Sequence, residues 1–581
     1  MKKRNQAGIL VVEVLLAIAI FSFFATGFVI AALSSLNANR LANEESIATH
    51  FASEGIEAMR SIKNQSYDNL TNTTPTTGVI KNINSLWAYG GANNSFEKYS
   101  RTITVSDVFR DGSGNIVSSG GALDPKTKKV TSTVKWNFSS ARVNDVSIST
   151  YFTKWKAPIL SNRSGILVYG DGGTTNDAFR YRIFDGSTNS WGVVGNIDFD
   201  TTTSNRAVRA VRVYSSSTRN EKIVISRHYN GTTQYIYGHV FNGTNFTSTL
   251  FSSWNANTFL QVRNFDGAYL ANGNFVAVYS DNTTTPKYRI WNGSSWSSQL
   301  SLINLANNGS SVPLYIVTRP RSGTNEVMAG FFDQSRDVNT EYFNGSSWNL
   351  HSIHSTSAPN NASQMIDFVW SANNSTKGAL IFSSGNNDRA MNIKIWTANG
   401  SGSGSWSNTA NSTNQGVLGP MEIDSRTASL EFIACDRDTN SDIYCFKSDG
   451  TPSFSSPSNN ILTTSTATGS QKTFDIKYQG SGDQAIAVYS DNSAIPKLKK
   501  YNPLTGSFDA TATNLTSIGS TLRTVSEVAL ADSPNIMILM GDNNNRLYSD
   551  MWNGSENAFT LHGTNGSSTN EYWYDFEWDK N

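Results

Sequence analysis

Ala277-Val278-Tyr279-Ser280-Asp281-Asn282-Thr283-Thr284-Thr285-Pro286-Lys287 recurs almost unchanged as Ala487-Val488-Tyr489-Ser490-Asp491-Asn492-Ser493-Ala494-Ile495-Pro496-Lys497. Two such copies mark an internal repeat, and a repeat period decides the architecture before any single element does. A second recurring element lies a few residues beyond the first copy: a strand, an Asn-Gly pair and an aromatic. It reads Trp291-Asn292-Gly293-Ser294-Ser295-Trp296, Phe343-Asn344-Gly345-Ser346-Ser347-Trp348, Phe241-Asn242-Gly243-Thr244-Asn245-Phe246 and Trp552-Asn553-Gly554. Asn-Gly predicts a tight hairpin, because both residues tolerate positive φ. Looser copies begin near Phe184, Ile395, Phe446 and Tyr501, so eight starts fall 50–57 residues apart.

Each copy reads as four strands, as in Ile366–Trp370, Ala379–Ser383, Asn392–Trp396 and Trp406–Thr409. Four strands per repeat at this period predict a β-propeller. The first copy begins at Ser164–Tyr169, which matches a second strand. A first-strand-like segment is left over at the C-terminus, Glu571–Trp578. That segment is expected to complete blade one and close a ring of eight blades over 164–581, which removes open sheet edges. A seven-bladed ring with one degenerate copy is the alternative.

The 581-residue chain is too long for one ordinary domain. Its net charge of +1, with no basic stripe interleaved with aromatics, gives no indication of a nucleic-acid partner. The last two thirds are rich in Ser, Thr, Asn, Gly and aromatics, a composition suited to short strands and turns. The two cysteines, Cys435 and Cys445, lie ten positions apart and fit a local disulfide better than a metal cluster. Such a bond persists outside the cytosol.

The N-terminus sets the compartment. Residues 1–8, Met1 to Gly8, form a short basic leader, and Ile9 to Leu33 holds 25 residues with the single charge Glu13. As a helix that run is about 37 Å long, enough to span a bilayer. Its basic flank belongs on the cytoplasmic side. Apolar residues then continue at three- to four-residue spacing through Leu41, Ile47, Phe51, Ile56, Met59 and Ile62, so one helix is expected over 9–63. A carboxylate inside a membrane helix is expensive and normally has a partner.

Gly8, Ile9 and Glu13 together resemble the N-terminus of type IV prepilins, with Ile9 standing where that family usually has Phe. The resemblance covers roughly residues 1–65. It implies cleavage between Gly8 and Ile9 by a prepilin peptidase, methylation of Ile9, and assembly through Glu13 with other pilin subunits. Loss of the leader's three basic residues would take the net charge from +1 to −2. The stretch Ala52–Ile62 is similar to the same helix in minor pilins and pseudopilins, where a small antiparallel sheet follows. Ser100–Val108, Val130–Phe138 and Val146–Phe152 alternate as such strands would. The fold expected is therefore an α+β pilin module, with its β head at 64–156, joined by a linker at 157–163 to the all-β propeller. The chain is expected to sit in the inner membrane as a single-pass prepilin, N-terminus cytoplasmic, and then outside on a pilus or the cell surface.

Chemistry-bearing motifs are few. Asp171, Asp281, Asp333, Asp436, Asp491 and Asp542 recur just after the second strand, where a turn-capping role outweighs a ring of carboxylates. Trp191, Trp296, Trp348 and Trp406 read as packing between blades rather than as sugar platforms. Asp436, Asp438, Asn440 and Asp442 alternate oxygen ligands as the start of an EF-hand-like Ca2+ loop does, but Ser441 stands where Gly is usual, and Tyr444 and Lys447 stand at positions nine and twelve where an acidic residue would. A calcium loop and a polar hairpin tip both stay open. No nucleophile elbow, phosphate loop or HExxH motif is present, so no catalytic residue is named. The leading reading is a minor pilin-like subunit that displays a propeller to bind an extracellular glycan or protein. A surface-tethered carbohydrate-active enzyme and a structural pseudopilin of a type II-like secretion system are the alternatives.

Overall fold

The computed structural model describes residues 11–580 apart from 66, 74–76, 82–86, 112–113, 154–162, 173–178, 198–205, 306–311, 360–362, 386–387, 401, 468–471, 557–558 and 567–571. Gly8, Ile9 and most of the expected linker lie outside the described residues. The chain divides into two compact units, Met1–Ala157 and Pro158–Asn581.

The first unit is built on one helix, α1 (Val11–Gln65). Its first half is apolar on every side and exposed: Phe23 is 80% and Phe28 76% accessible. This helix is long and apolar enough to cross a membrane. Its second half buries one stripe, Ala48, Ala52, Ile56, Met59 and Ile62, against an antiparallel sheet ordered Asn94–Phe96, Tyr99–Arg110, Ala122–Ser139 and Arg142–Thr153. The stripe follows the i, i+4, i+7 spacing of an amphipathic helix, so the sequence pattern and the packing agree. Gly55 allows the close approach, since a Cβ there would lie 2.4 Å from Ser132 Oγ. Glu44 is buried at the upper edge of this contact. It accepts a 2.9 Å hydrogen bond from Trp136 Nε1 and pairs with Arg40 and Lys98 at 2.8 and 2.5 Å.

Among the described residues the second unit contains eight antiparallel sheets of four principal strands, arranged as a propeller-like ring. The innermost strands touch one another in sequence, from Ala207–Ser215 in blade two to Leu522–Ala529 in blade eight. Tyr574–Trp578 lies between these two ends and pairs with Gly165–Tyr169 as the inner strand of blade one. Trp573, Tyr574, Phe576 and Trp578 are all buried there.

The blades are of two alternating kinds. Odd blades have short inner strands, Tyr574–Trp578, Phe265–Tyr269, Ile366–Trp370 and Phe474–Tyr478, in unbroken register with their neighbours. Even blades have longer inner strands, Ala207–Ser215, Pro313–Pro320, Leu418–Ser425 and Leu522–Ala529, and each carries a register shift. An extra residue in one strand bends it and strengthens its twist.

The Asn-Gly tips differ from the expectation in one respect. Gly243, Gly293, Gly345 and Gly554 take positive φ, 94° to 106°, but the preceding asparagines do not. Asn292 Oδ1 instead accepts the amides of Ser294 and Ser295, both at 2.9 Å, and Asn344 does the same for Ser346 and Ser347. The asparagine is therefore a side-chain cap, and only the glycine needs the left-handed region.

Candidate functional site

Every odd inner strand carries an aspartate one residue from its start and an aromatic at its end: Tyr574-Asp575-Phe576-Glu577-Trp578, Phe265-Asp266-Gly267-Ala268-Tyr269, Ile366-Asp367-Phe368-Val369-Trp370 and Phe474-Asp475-Ile476-Lys477-Tyr478. These two residues bind in opposite directions around the ring. The aspartates reach forward and accept backbone N–H groups of the next even blade. Asp575, Asp266 and Asp475 accept from Val213, Thr318 and Glu527 at 2.8 Å, and Asp367 accepts from Ile423 at 3.3 Å. The aromatics reach back to the preceding even blade. Trp370 and Trp578 donate Nε1–H to the carbonyls of Arg319 and Val528, each at 3.0 Å. Tyr269 and Tyr478 donate their hydroxyls to Glu221 and Glu431 at 2.8 and 2.9 Å. An ionised carboxylate on a backbone amide is a strong, charge-assisted contact.

These clips surround a cavity of about 550 Å³ on the axis of the ring. Its volume lies within the range of ligand pockets, roughly 300–1,000 Å³. Its inner end is formed three residues before each odd aspartate, by Tyr572, Arg263, Gln364 and Lys472. Its mouth lies at the far ends of the inner strands, where Ser217, Ser322 and Gly323 are exposed.

The walls are charged and paired. Asp266 is the hub of one half, with Arg319 at 3.1 Å, Arg263 at 3.3 Å and Arg212 at 3.9 Å, and it accepts the Tyr214 hydroxyl. Burial pushes the Asp266 carboxyl up, but the guanidiniums of Arg263, Arg212 and Arg319 overcome this and hold it below its ordinary value. Arg319 also reaches Asp367 at 2.9 Å, and Arg212 reaches Asp575 at 3.4 Å. In the other half Glu422 holds Lys472 at 2.7 Å and Lys477 at 2.5 Å. Burial opposes ionisation of Glu422 too, and the two ammonium groups outweigh it, so its pKa is well below the usual carboxylate range. Burial dominates elsewhere. It lifts Asp424, despite Lys477, and Asp575, despite Arg212, to about 6 each, and it raises Glu527 well above its ordinary value beside Asp475.

The residues singled out in the sequence lie elsewhere. Cys435 and Cys445 face each other across adjacent strands of blade six and form a disulfide, with Cα atoms 4.1 Å apart. Asp436, Asp438 and Asp442 do not converge as a metal-holding group, and none occurs among the described residues. Asp438 is occupied by the backbone: one oxygen accepts the amides of Asn440 and Asp442 at 2.9 Å, the other that of Gly416 at 2.7 Å. Asp436 is buried and accepts from Gln415 Nε2 at 2.9 Å, and burial lifts its pKa to about 8. The geometry is that of a capped hairpin, which fits the polar-tip alternative to the Ca2+ loop expected at Asp436, Asp438, Asn440 and Asp442. Asp438, rather than Asp436, is the blade-six counterpart of Asp333 and Asp542, whose carboxylates accept the amide four residues on. Trp191, Trp296, Trp348 and Trp406 pack on rings of their own blade and of the adjacent one, as Trp296 does on Phe251 of blade two with centroids 4.8 Å apart. Glu13 stands exposed in the first turns of α1.

No family model matches the chain, and no curated protein does. Solved structures do. The lectin BP39L of Burkholderia pseudomallei aligns at 10% identity over 61% of this chain and 98% of its own, with a TM-score of 0.44. The six-bladed fucose lectin of Aleuria aurantia aligns at 9% over 62% and 96%, with a TM-score of 0.34. The periplasmic gluconolactonase of Pseudomonas aeruginosa aligns at 11% over 64% and 99%, with a TM-score of 0.37. These are likenesses of chain path among propellers and carry neither ligand nor reaction to this chain.

Proposed function

We propose that this chain is a pilin-like subunit, anchored and assembled through α1, that displays a ligand-binding propeller outside the cell. The observation that supports it is the division of one continuous helix. Its first half exposes apolar side chains all round, from Val11 to Leu36, while its second half is committed to a sheet. An exposed apolar surface of that size needs lipid or other helices to cover it. Other pilin subunits are the partners expected for it after the prepilin peptidase has cut between Gly8 and Ile9. Glu13 would then pair with the new N-terminal amine of a neighbouring subunit.

Binding rather than catalysis is the reading for the propeller. Its axial cavity holds paired charges on rigid strands, an arrangement that recognises without supplying a spare nucleophile. Mass spectrometry of the mature chain tests the anchoring half of this reading. A chain beginning at methylated Ile9 is expected, and one beginning at Met1, or cut beyond residue 30, would overturn it.

A further inference from the structure

The charged side chains lining the axial cavity are met by opposite charges, within the lining or, for Arg319 with Asp367 and Arg321 with Glu326, also beyond it. Arg212, Arg263 and Arg319 face Asp266, Asp367 and Asp575, and Lys472 and Lys477 face Glu422 and Asp475. A ligand with net charge would attract one member of a pair and leave the other buried without a partner, which is costly. A hydroxyl has no such conflict. It donates to a carboxylate and accepts from a guanidinium or ammonium, so it can join a pair without leaving either member alone.

The walls also hold unused polar atoms of both kinds. Arg212 Nε, Arg263 Nε and Glu527 Oε2 are buried without a hydrogen-bond partner among the described residues. These three atoms can take hydrogen bonds from a ligand or water that supplies both donors and acceptors. Tyr214 and Tyr269, on neighbouring inner strands, add aromatic surface to the same wall. Such surface suits the C–H face of a sugar ring, whose other edge is polar.

The inner end is shut. Tyr572 of blade one donates its hydroxyl to Gln364 Oε1 of blade five at 2.9 Å, and the Arg263 guanidinium lies 5.3 Å from the Tyr572 ring. A chain cannot thread through, so a ligand enters from the mouth beside Ser322 and stops at Tyr572.

We propose that the cavity binds an uncharged, polyhydroxylated ring, either a free neutral sugar or the terminal residue of a neutral glycan. This rests on reading the propeller as a binding module and names the class of its ligand.

The test uses the full chain in detergent micelles, with titration calorimetry and saturation-transfer NMR. The probes are free neutral hexoses, their methyl glycosides, neutral oligosaccharides, and charged sugars such as glucosamine, glucuronate and sialyllactose. Neutral probes should bind at least tenfold more tightly than charged ones. Methyl glycosides and oligosaccharides binding as well as free sugars identifies a glycan end, and binding by free sugars alone identifies a free sugar. Ser322→Trp, an exposed change at the mouth that leaves the core untouched, should abolish binding. Leu504→Trp, at another exposed position outside the cavity lining, should not. Tighter binding of a charged sugar that Ser322→Trp abolishes would overturn the ligand class and leave the binding reading intact. Failure of every sugar at millimolar concentration, or neutral binding indifferent to Ser322→Trp, would overturn the proposal at this site. Neither result bears on the processing of the N-terminus.

Discussion

Tyr572 and Gln364 are hydrogen-bonded across the centre of the ring, from blade one to blade five, at 2.9 Å. They occupy equivalent places, three residues before Asp575 and Asp367, and the carbonyl of each accepts an amide of the next even blade, Val211 at 2.7 Å and Met421 at 3.2 Å. The contact therefore ties together two opposite members of one repeating scheme, and it closes the cavity at the same point.

Tyr572→Phe should keep the ring in place and remove this single bond. Gln364 is 3% accessible, so its freed oxygen is not readily hydrated. Leaving a buried acceptor unsatisfied costs about 1–3 kcal/mol. A modest fall in melting temperature is expected, together with faster amide exchange at Val211 and Met421. An unchanged melt would show that water replaces the tyrosine hydroxyl without loss.

Ending the chain at residue 570 should be far more damaging. It removes the inner strand of blade one, with Trp573, Tyr574, Phe576 and Trp578 all at most 4% accessible. It also exposes the edge of Gly165–Tyr169, and an open strand edge invites aggregation. Cooperative melting of the propeller should be lost by calorimetry. A truncated chain that melts like the intact one would mean that ring closure contributes little.

Asp438→Ala should destabilise blade six to the same extent with and without calcium. The carboxylate holds three backbone amides, those of Gly416, Asn440 and Asp442. Removing it leaves those donors without their partner, at about 1–3 kcal/mol for each that stays buried. Melting curves in calcium and in chelator should coincide for both proteins. A rise with calcium in the parent chain that Asp438→Ala abolishes would restore the metal loop.

The repeat was legible because its turns are spelled by residues with special backbone properties. Asn292-Gly293 and Asn344-Gly345 mark hairpin tips in the sequence alone, and the leftover Glu571–Trp578 pointed to the missing strand. The cavity was not legible. Its charged residues sit on strands about one repeat apart, 50 positions for Lys472 and Glu422, or 363 positions apart for Arg212 and Asp575, and no local motif joins them. One signal was present and passed over: Asp266, Asp367, Asp475 and Asp575 each follow an aromatic or Ile and precede an aromatic by three. In a strand, alternation predicts an occasional polar residue, so an aspartate there reads as solvent-facing. Only the ring shows that the neighbouring blade supplies the amide that each carboxylate caps.

The last prediction concerns pH. Burial lifts Asp424 and Asp575 to about 6 and Asp436 to about 8, from an ordinary aspartate value of 3.8. A carboxyl with a higher pKa in the fold than in the unfolded chain binds its proton more tightly in the fold. Stability must then rise as pH falls from about 8, through the folded values, and stop rising once the unfolded value near 3.8 is passed. Glu422 and Asp266 act in the opposite sense, because their cations hold them low. Their contribution is complete above the ordinary carboxylate range and is lost as pH falls below it, toward their folded values. Burial holds the His239, His354 and His562 imidazoles well below their ordinary 6.5, so they oppose the rise once pH falls below that value. The melting temperature should therefore increase from pH 8 to about 6.5 and fall below about 4. Asp436→Asn removes the highest of the raised groups while keeping its shape. It should flatten the limb between pH 8 and 6 and leave the acid limb alone. Asp575→Asn should flatten the limb between pH 6 and 4 instead. A parent protein whose melting temperature is level from pH 8 to 6.5, above the range where the buried histidines act, would show that the Asp436 carboxyl is hydrated and that the ring is wetter than its packing implies.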